Sequence, residues 1–178
     1  MIVYHGSNSN FKKLRISKTL VQHRTTLENE GLGIYFSTDK EVARSYGKYI
    51  YTLAIDDRYI QDFRKIATCK RYINEIAKEI YKETEINILS MFDVNGLLYR
   101  MQLGGQCIYE TGKEIYALLD STEEWYTSIP QYKRDKISRM LNAHDKELKA
   151  YMFSYHIPNI GVIKDLNVVQ IVNKEDSY

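Results

Sequence analysis

Three short stretches of this chain hold side chains able to grip a flat, polar ligand: Tyr4-His5-Gly6-Ser7, Gly31-Leu32-Gly33-Ile34-Tyr35-Phe36-Ser37 and Ala43-Arg44-Ser45-Tyr46. A His-Gly-Ser at the end of a strand presents a glycine peptide with no side chain to block close approach. A carboxamide carries one donor group and one acceptor, and such a peptide can satisfy both. The neighbouring His5 imidazole can hydrogen-bond a ribose hydroxyl. Tyr35 and Tyr46 stand eleven residues apart, on either side of one short helical pattern, so their rings can close on the two faces of an aromatic group. Each feature alone has a plainer reading: a strand-ending HGS is a turn, and a lone tyrosine packs in a core. It is the set that points to chemistry.

Those residues need a scaffold, and the pattern supplies one. Ile2-Val3-Tyr4 reads as a short strand ended by Gly6-Ser7-Asn8, and Ile34-Tyr35-Phe36 as a second. Residues 15–30 are polar and suit a loop or short helix. Ser37-Thr38-Asp39 is an N-cap signal, Glu41 strengthens the first turn, and Gly47 ends a helix spanning Lys40 to Tyr46. Tyr49 to Ile55 is the most convincing strand.

From about 57 to 156 the chain reads as mostly helical. Ile66, Cys69, Ile73, Ile76 and Ile80 share one helix face, as do Ile137, Leu141, His144, Leu148, Met152 and Tyr155. Between them lie a strand or loop at 88–94, helices near 95–102 and 111–119 around a Gly104-Gly105 break, and Pro130. Gly161 to Lys164 and Asn167 to Val172 return to strand character around Asp165. Strands at both ends with helices between predict an α+β fold.

Bulk properties narrow the function classes. A chain of 178 residues is most simply one domain, 1–178, large enough to bury a core. The net charge of +2 gives no electrostatic reason to expect a nucleic-acid partner or an anionic membrane. No apolar run reaches the roughly 18 residues that span a bilayer, and no signal segment opens the chain, so the cytoplasm is the default compartment. Cys69 and Cys107 have neither metal nor disulfide spacing, no pair of His, Cys or carboxylates has metal-ligand spacing, and no metal is expected. Cys69, on a helix face, is expected as a buried free thiol. Sixteen tyrosines against five Phe and one Trp reflect either a composition bias or a tyrosine-lined cleft.

In this order, Y-H-G-S, G-x-G-I-Y-F-S and A-x-S-Y resemble the NAD-binding signature of the ADP-ribosyltransferase superfamily. The branch is the diphtheria-toxin and poly(ADP-ribose) polymerase one, in a small bacterial or phage form. The resemblance covers residues 3–55, and the last twenty loosely. It implies a split β-sandwich core (1–56 and 157–178) with NAD in its cleft as co-substrate, interrupted by a large helical insertion (about 57–156). By the resemblance, His5 bonds the 2′-hydroxyl of the nicotinamide ribose, and Gly6 holds the carboxamide with Ser7 beside it. Gly33 belongs to the second motif, and Tyr35 and Tyr46 stack on the nicotinamide ring. The implied activity is mono-ADP-ribosyl transfer to a macromolecular acceptor, foremost a protein, with loss of nicotinamide. A toxin or effector would fit, and so would a partner protein that neutralises it. His23, Arg24 and Arg15 could reach the adenine or pyrophosphate end.

The resemblance breaks at the acid. The family places a glutamate at the start of a late strand, where a carboxylate stabilises the oxocarbenium-like ribose. Here that position falls on Ile160 or Asn159, or in another register on Leu166 or Asn167. Asp165 is the acidic candidate by sequence, and Glu110 and Glu114 are alternatives if the insertion folds over the cleft. Glu175 and Asp176 read as solvated tail charges. Loss of the acid argues against polymer synthesis and leaves single transfer, a non-catalytic NAD or ADP-ribose binding module, or NAD hydrolysis.

Overall fold

The computed structural model describes residues 1–16, 33–90, 94–95, 98, 128–153 and 159–176. Gly31, Leu32, His23, Arg24, Cys107, Glu110, Glu114, the Gly104-Gly105 break and the helices expected near 95–102 and 111–119 lie largely or wholly outside them. The fold is mixed α and β, built on one seven-stranded sheet.

The strands are β1 (Ile2–Ser7), β2 (Ile34–Ser37), β3 (Tyr49–Ile55), β4 (Ile60–Asp62), β5 (Ala150–Phe153), β6 (Ile160–Ile163) and β7 (Val169–Asp176), in the order β4-β5-β6-β2-β1-β3-β7. The described helices are α1 (Lys40–Arg44), α2 (Ile66–Thr84) and α3 (Gln131–Glu147). The predicted first zone is recovered in order, with β3 pairing β1 along six register positions from Ile2↔Ala54 to Ser7↔Tyr49. The strand segments from the two ends of the chain also pair, β6 with β2 and β7 with β3.

One expectation fails. Met152 was placed on the long helix, but α3 ends at Glu147 and Ala150–Phe153 is a strand. All four of its residues are buried, because β5 lies inside the sheet, between β4 and β6. A continuous apolar run fits such a doubly covered strand as well as it fits a helix, and periodicity cannot separate the two. With β4 also in the sheet, the stretch read as a helical insertion contributes two strands of its own.

The sheet cannot be flat. From Ile163 to Val169 the chain passes through a 3-10 turn at Leu166–Val168, giving a reach of about 16 Å at ~3.3 Å per extended and ~2 Å per 3-10 residue. In a flat sheet β6 and β7 would stand four strand spacings apart, roughly 19 Å, before any axial offset. The sheet therefore folds over, and the seam between β1 and β2 is the weak place for it: that ladder carries a single register pair, Tyr4↔Ser37.

Packing follows the fold. One apolar cluster joins Val3, Tyr51, Leu53 and Ile55 to Ile34, Phe36, Ala150, Met152 and Ile163, from both sides of the seam. A second places Cys69 and Ile73 of α2 on Tyr151, Phe153 and Val162, and a third fixes α2 to α3 through Ile76, Ile80, Ile137 and Leu141. Cys69 is buried and free, as expected, and donates to the Phe63 carbonyl at 3.1 Å. Burial pushes its thiol pKa up to about 11. His144 on α3 meets Glu79 of α2, Nε2 to Oε2 at 2.9 Å, a satisfied structural histidine. No helix among the described residues is long and apolar enough to cross a membrane.

Candidate functional site

The seam between β1 and β2 gathers most of the residues singled out above. Met1 and Ile55 exchange both backbone hydrogen bonds, N to O at 2.6 and 2.9 Å. Pairing in an antiparallel ladder alternates, so Val3, His5 and Ser7 turn their peptide groups to β3 while Tyr4 and Gly6 turn theirs to β2. The ladder to β2 is used up at Tyr4, so the Gly6 N–H and C=O face the seam beyond its end. A donor and an acceptor thus sit side by side on one residue, matched to a carboxamide.

The reason for glycine at this position differs from the one expected. A Cβ on Gly6 would lie 1.9 Å from the Ala43 carbonyl oxygen and 3.1 Å from Tyr46 Cβ. The peptide edge faces the seam; the Cβ side is filled by α1. Gly47 repeats the device, since its Cβ would meet the Ser7 carbonyl carbon at 2.2 Å. Two glycines let α1 and the turn after it lie directly on β1, which brings Tyr46 beside Gly6. Tyr46 keeps 55% of its surface exposed there.

The start of α1 is set locally. Ser37 Oγ accepts from the Asp39 N–H and the Asp39 carboxylate from the Glu41 N–H, both at 2.9 Å. The helix stops at Arg44, two residues before the expected end, with Ser45 as C-cap. Its first residue is tied to the far edge of the sheet: Lys40 Nζ lies 2.5 Å from Glu175 Oε1. Glu175 is therefore not a solvated tail charge. It stands on β7 opposite Ile50, which stands opposite Gly6, so the ion pair anchors α1 over the row that holds the glycine.

His5 bridges the seam. Its Nδ1 lies 2.7 Å from the Tyr35 carbonyl oxygen. A carbonyl only accepts, so Nδ1 carries the proton. Burial lowers the His5 pKa, outweighing the raising effect of that hydrogen bond, and keeps the ring neutral near pH 7. Nε2 is then unprotonated and can accept a hydrogen bond. The Tyr35 ring is partly buried against the Phe63–Phe153 cluster, and its backbone carbonyl makes the hydrogen bond with His5. Gly33 serves packing: a Cβ there would meet Val162 at 2.3 Å.

The late-strand residues weighed for an acid have other partners. Ile160 stands opposite Ser37 and packs against the same cluster as Tyr35. Asn159 before it has φ 62, and its carbonyl accepts from the Thr38 N–H at 3.0 Å. Its side-chain oxygen accepts from Arg64, whose guanidinium also forks onto Asp62 at 2.7 and 2.9 Å. Asp165 caps the 3-10 turn, its carboxylate accepting from the Asn167 N–H and Nδ2 at 2.9 Å, while its own N–H bonds the Lys149 carbonyl. Those partners lie on the β6–β7 link and beside β5. The structure thus brings His5, Gly6, Ser7, the Tyr35 backbone and Tyr46 together, and gives one oxygen of Asp165 a capping role on the β6–β7 link. No group of three potential metal ligands occurs among the described residues.

Among the described residues, a seven-stranded mixed α and β fold with a glycine-edged seam is what fold and site define. No family model, curated protein or solved structure matches the chain.

Proposed function

We propose that the seam binds the nicotinamide end of NAD and that the protein is a mono-ADP-ribosyltransferase of split β-sandwich type acting on a macromolecular acceptor. The observation that carries the reading is the Gly6 peptide edge: a donor and an acceptor turned to the β2 side past the last register pair of the β1–β2 ladder, with a neutral His5 beside it and Tyr46 flanking it. The carboxamide would take the glycine peptide, the ribose hydroxyl the His5 Nε2, and the ring would lie against Tyr46. Breaking the ribose–nicotinamide bond requires stabilisation of a cationic sugar.

A second reading has its own support. The late-strand positions where the resemblance expects a carboxylate hold Ile160 or Asn159, or in the other register Leu166 or Asn167, and one carboxylate oxygen of Asp165 caps a turn. A module that binds NAD or ADP-ribose without transfer fits those two facts. Nicotinamide release from NAD, with and without a cell lysate as acceptor source, separates the readings. Release that depends on lysate and disappears in His5→Ala supports the transferase. Binding by calorimetry with no release supports the module. Neither binding nor release removes both.

A further inference from the structure

We propose that Tyr51 is a positioning residue of the candidate site, holding the segment after Ser7 as a preformed rim and setting the plane of His5. The inference rests on the NAD-binding reading above. Tyr51 sits opposite His5 on β3 and is fully buried. Its hydroxyl leaves the sheet to donate to the Ser9 carbonyl at 2.9 Å and to accept from the Phe11 N–H at 2.8 Å. Its ring stacks on Phe11 with centroids 4.0 Å apart and planes within 4°. The His5 ring lies 6.1 Å from both.

A buried hydroxyl that spends both a donor and an acceptor on loop backbone is a conformational lock. Removing it leaves a carbonyl and an N–H without partners. Around it the same segment is tied at each residue: Ser7 Oγ accepts from the Ser9 N–H, Asn8 Oδ1 from the Lys48 N–H, and Asn10 Oδ1 from Lys174 Nζ. Gly47 presses on the Ser7–Asn8 peptide from behind. A surface loop needs no such set of ties to remain folded. A ligand that bonds His5 and Gly6 gains from it, because the segment leaving the strand is ordered before the ligand arrives. Tyr51 acts through His5 and the rim and touches no reacting atom, so its loss weakens binding without changing the chemistry.

The test is Tyr51→Phe in the full chain, which keeps the ring stack and removes both hydrogen bonds. Ile55→Val is the control: it lies on the same strand and in the same cluster, away from the rim. NAD affinity is measured by calorimetry well below both melting temperatures, with hydrogen exchange of the Phe11 amide. Tyr51→Phe should weaken NAD binding about tenfold and speed Phe11 exchange, and any release activity should change in KM with kcat held within about twofold. Ile55→Val should lower the melting temperature and leave affinity unchanged. Wild-type affinity in Tyr51→Phe, or an equal loss in Ile55→Val, overturns the inference while the NAD reading stands. A wild-type chain that does not bind NAD sinks the NAD reading, and this inference with it.

Discussion

The two sides of the β1–β2 seam are held by different forces. On the β2-β6-β5-β4 side, stability comes from apolar volume: Phe63, Tyr151, Phe153 and Val162 packed on α2, and α2 packed on α3. On the β1-β3-β7 side, close backbone approach and polar ties carry more of the detail. Gly6 and Gly47 lie under α1, Lys40 reaches Glu175, and Tyr51 grips the loop. The first side resembles any protein interior. The second fixes a few groups in place and leaves Tyr46 exposed beside them.

Substitutions that separate stability from binding put this contrast at risk. The largest stability loss belongs to the apolar side: Phe153→Ala should cost about 4 kcal/mol and leave NAD affinity unchanged wherever the variant is still folded. Urea melts and calorimetry on one sample check both halves of that statement. Gly6→Ala comes next. Its Cβ has nowhere to go but into the Ala43 carbonyl, so α1 must lift, costing about 2–3 kcal/mol and abolishing detectable NAD binding. Retained affinity in this variant would remove Gly6 from the site.

Tyr46→Ala reverses the pattern. At 55% exposure its truncation should shift stability by under about 0.5 kcal/mol, yet cost roughly 1–2 kcal/mol of NAD affinity through lost stacking. Equal affinity in the variant would show that Tyr46 does not face the ligand.

His5 adds a pH signature. Its folded pKa lies below the ordinary 6.5, so the unfolded chain takes up this proton first as pH falls. The stability involved is fully present above pH 6.5 and is lost as pH drops through the lowered value. Urea midpoints at pH 7.5 and 5.0 should differ more in the wild type than in His5→Gln; identical differences would contradict a buried neutral imidazole. The smallest effect is at Glu175→Gln. With the Lys40 and Glu175 side chains 35% and 31% exposed, the pair should contribute under about 1 kcal/mol. Its loss should loosen α1 enough to weaken NAD binding a few-fold.

Local chemistry made much of this legible. The caps at Ser37 and Asp39, the strand Tyr49–Ile55 and the apolar face of α2 follow from short-range rules, and the structure realises them. His5, Gly6, Ser7 and Tyr46 were identified from types and spacing, and the fold brings them together. Tyr51 and Glu175 were not, because nothing in their own neighbourhoods marks them. Tyr51 becomes informative once β1 and β3 are in register and its hydroxyl meets Ser9 and Phe11, some forty residues away. Glu175 needs the crossover from β6 to β7 before it can meet Lys40. Ala150–Phe153 was misread for the complementary reason: its neighbourhood is equally apolar in either conformation, and its place inside the sheet chose the strand.

The sequence by itself determined the elements around the candidate site and the residue types able to bond a flat, polar group, since capping, strand propensity and side-chain chemistry act over a few residues. Tertiary structure alone decided which way the Gly6 peptide faces, why no side chain fits there, that Asp165 caps a turn, and that Ile160 packs against the cluster shared with Tyr35. Those outcomes depend on register, on close approach and on which segments meet across the fold, and each is set by contacts between residues distant in the chain.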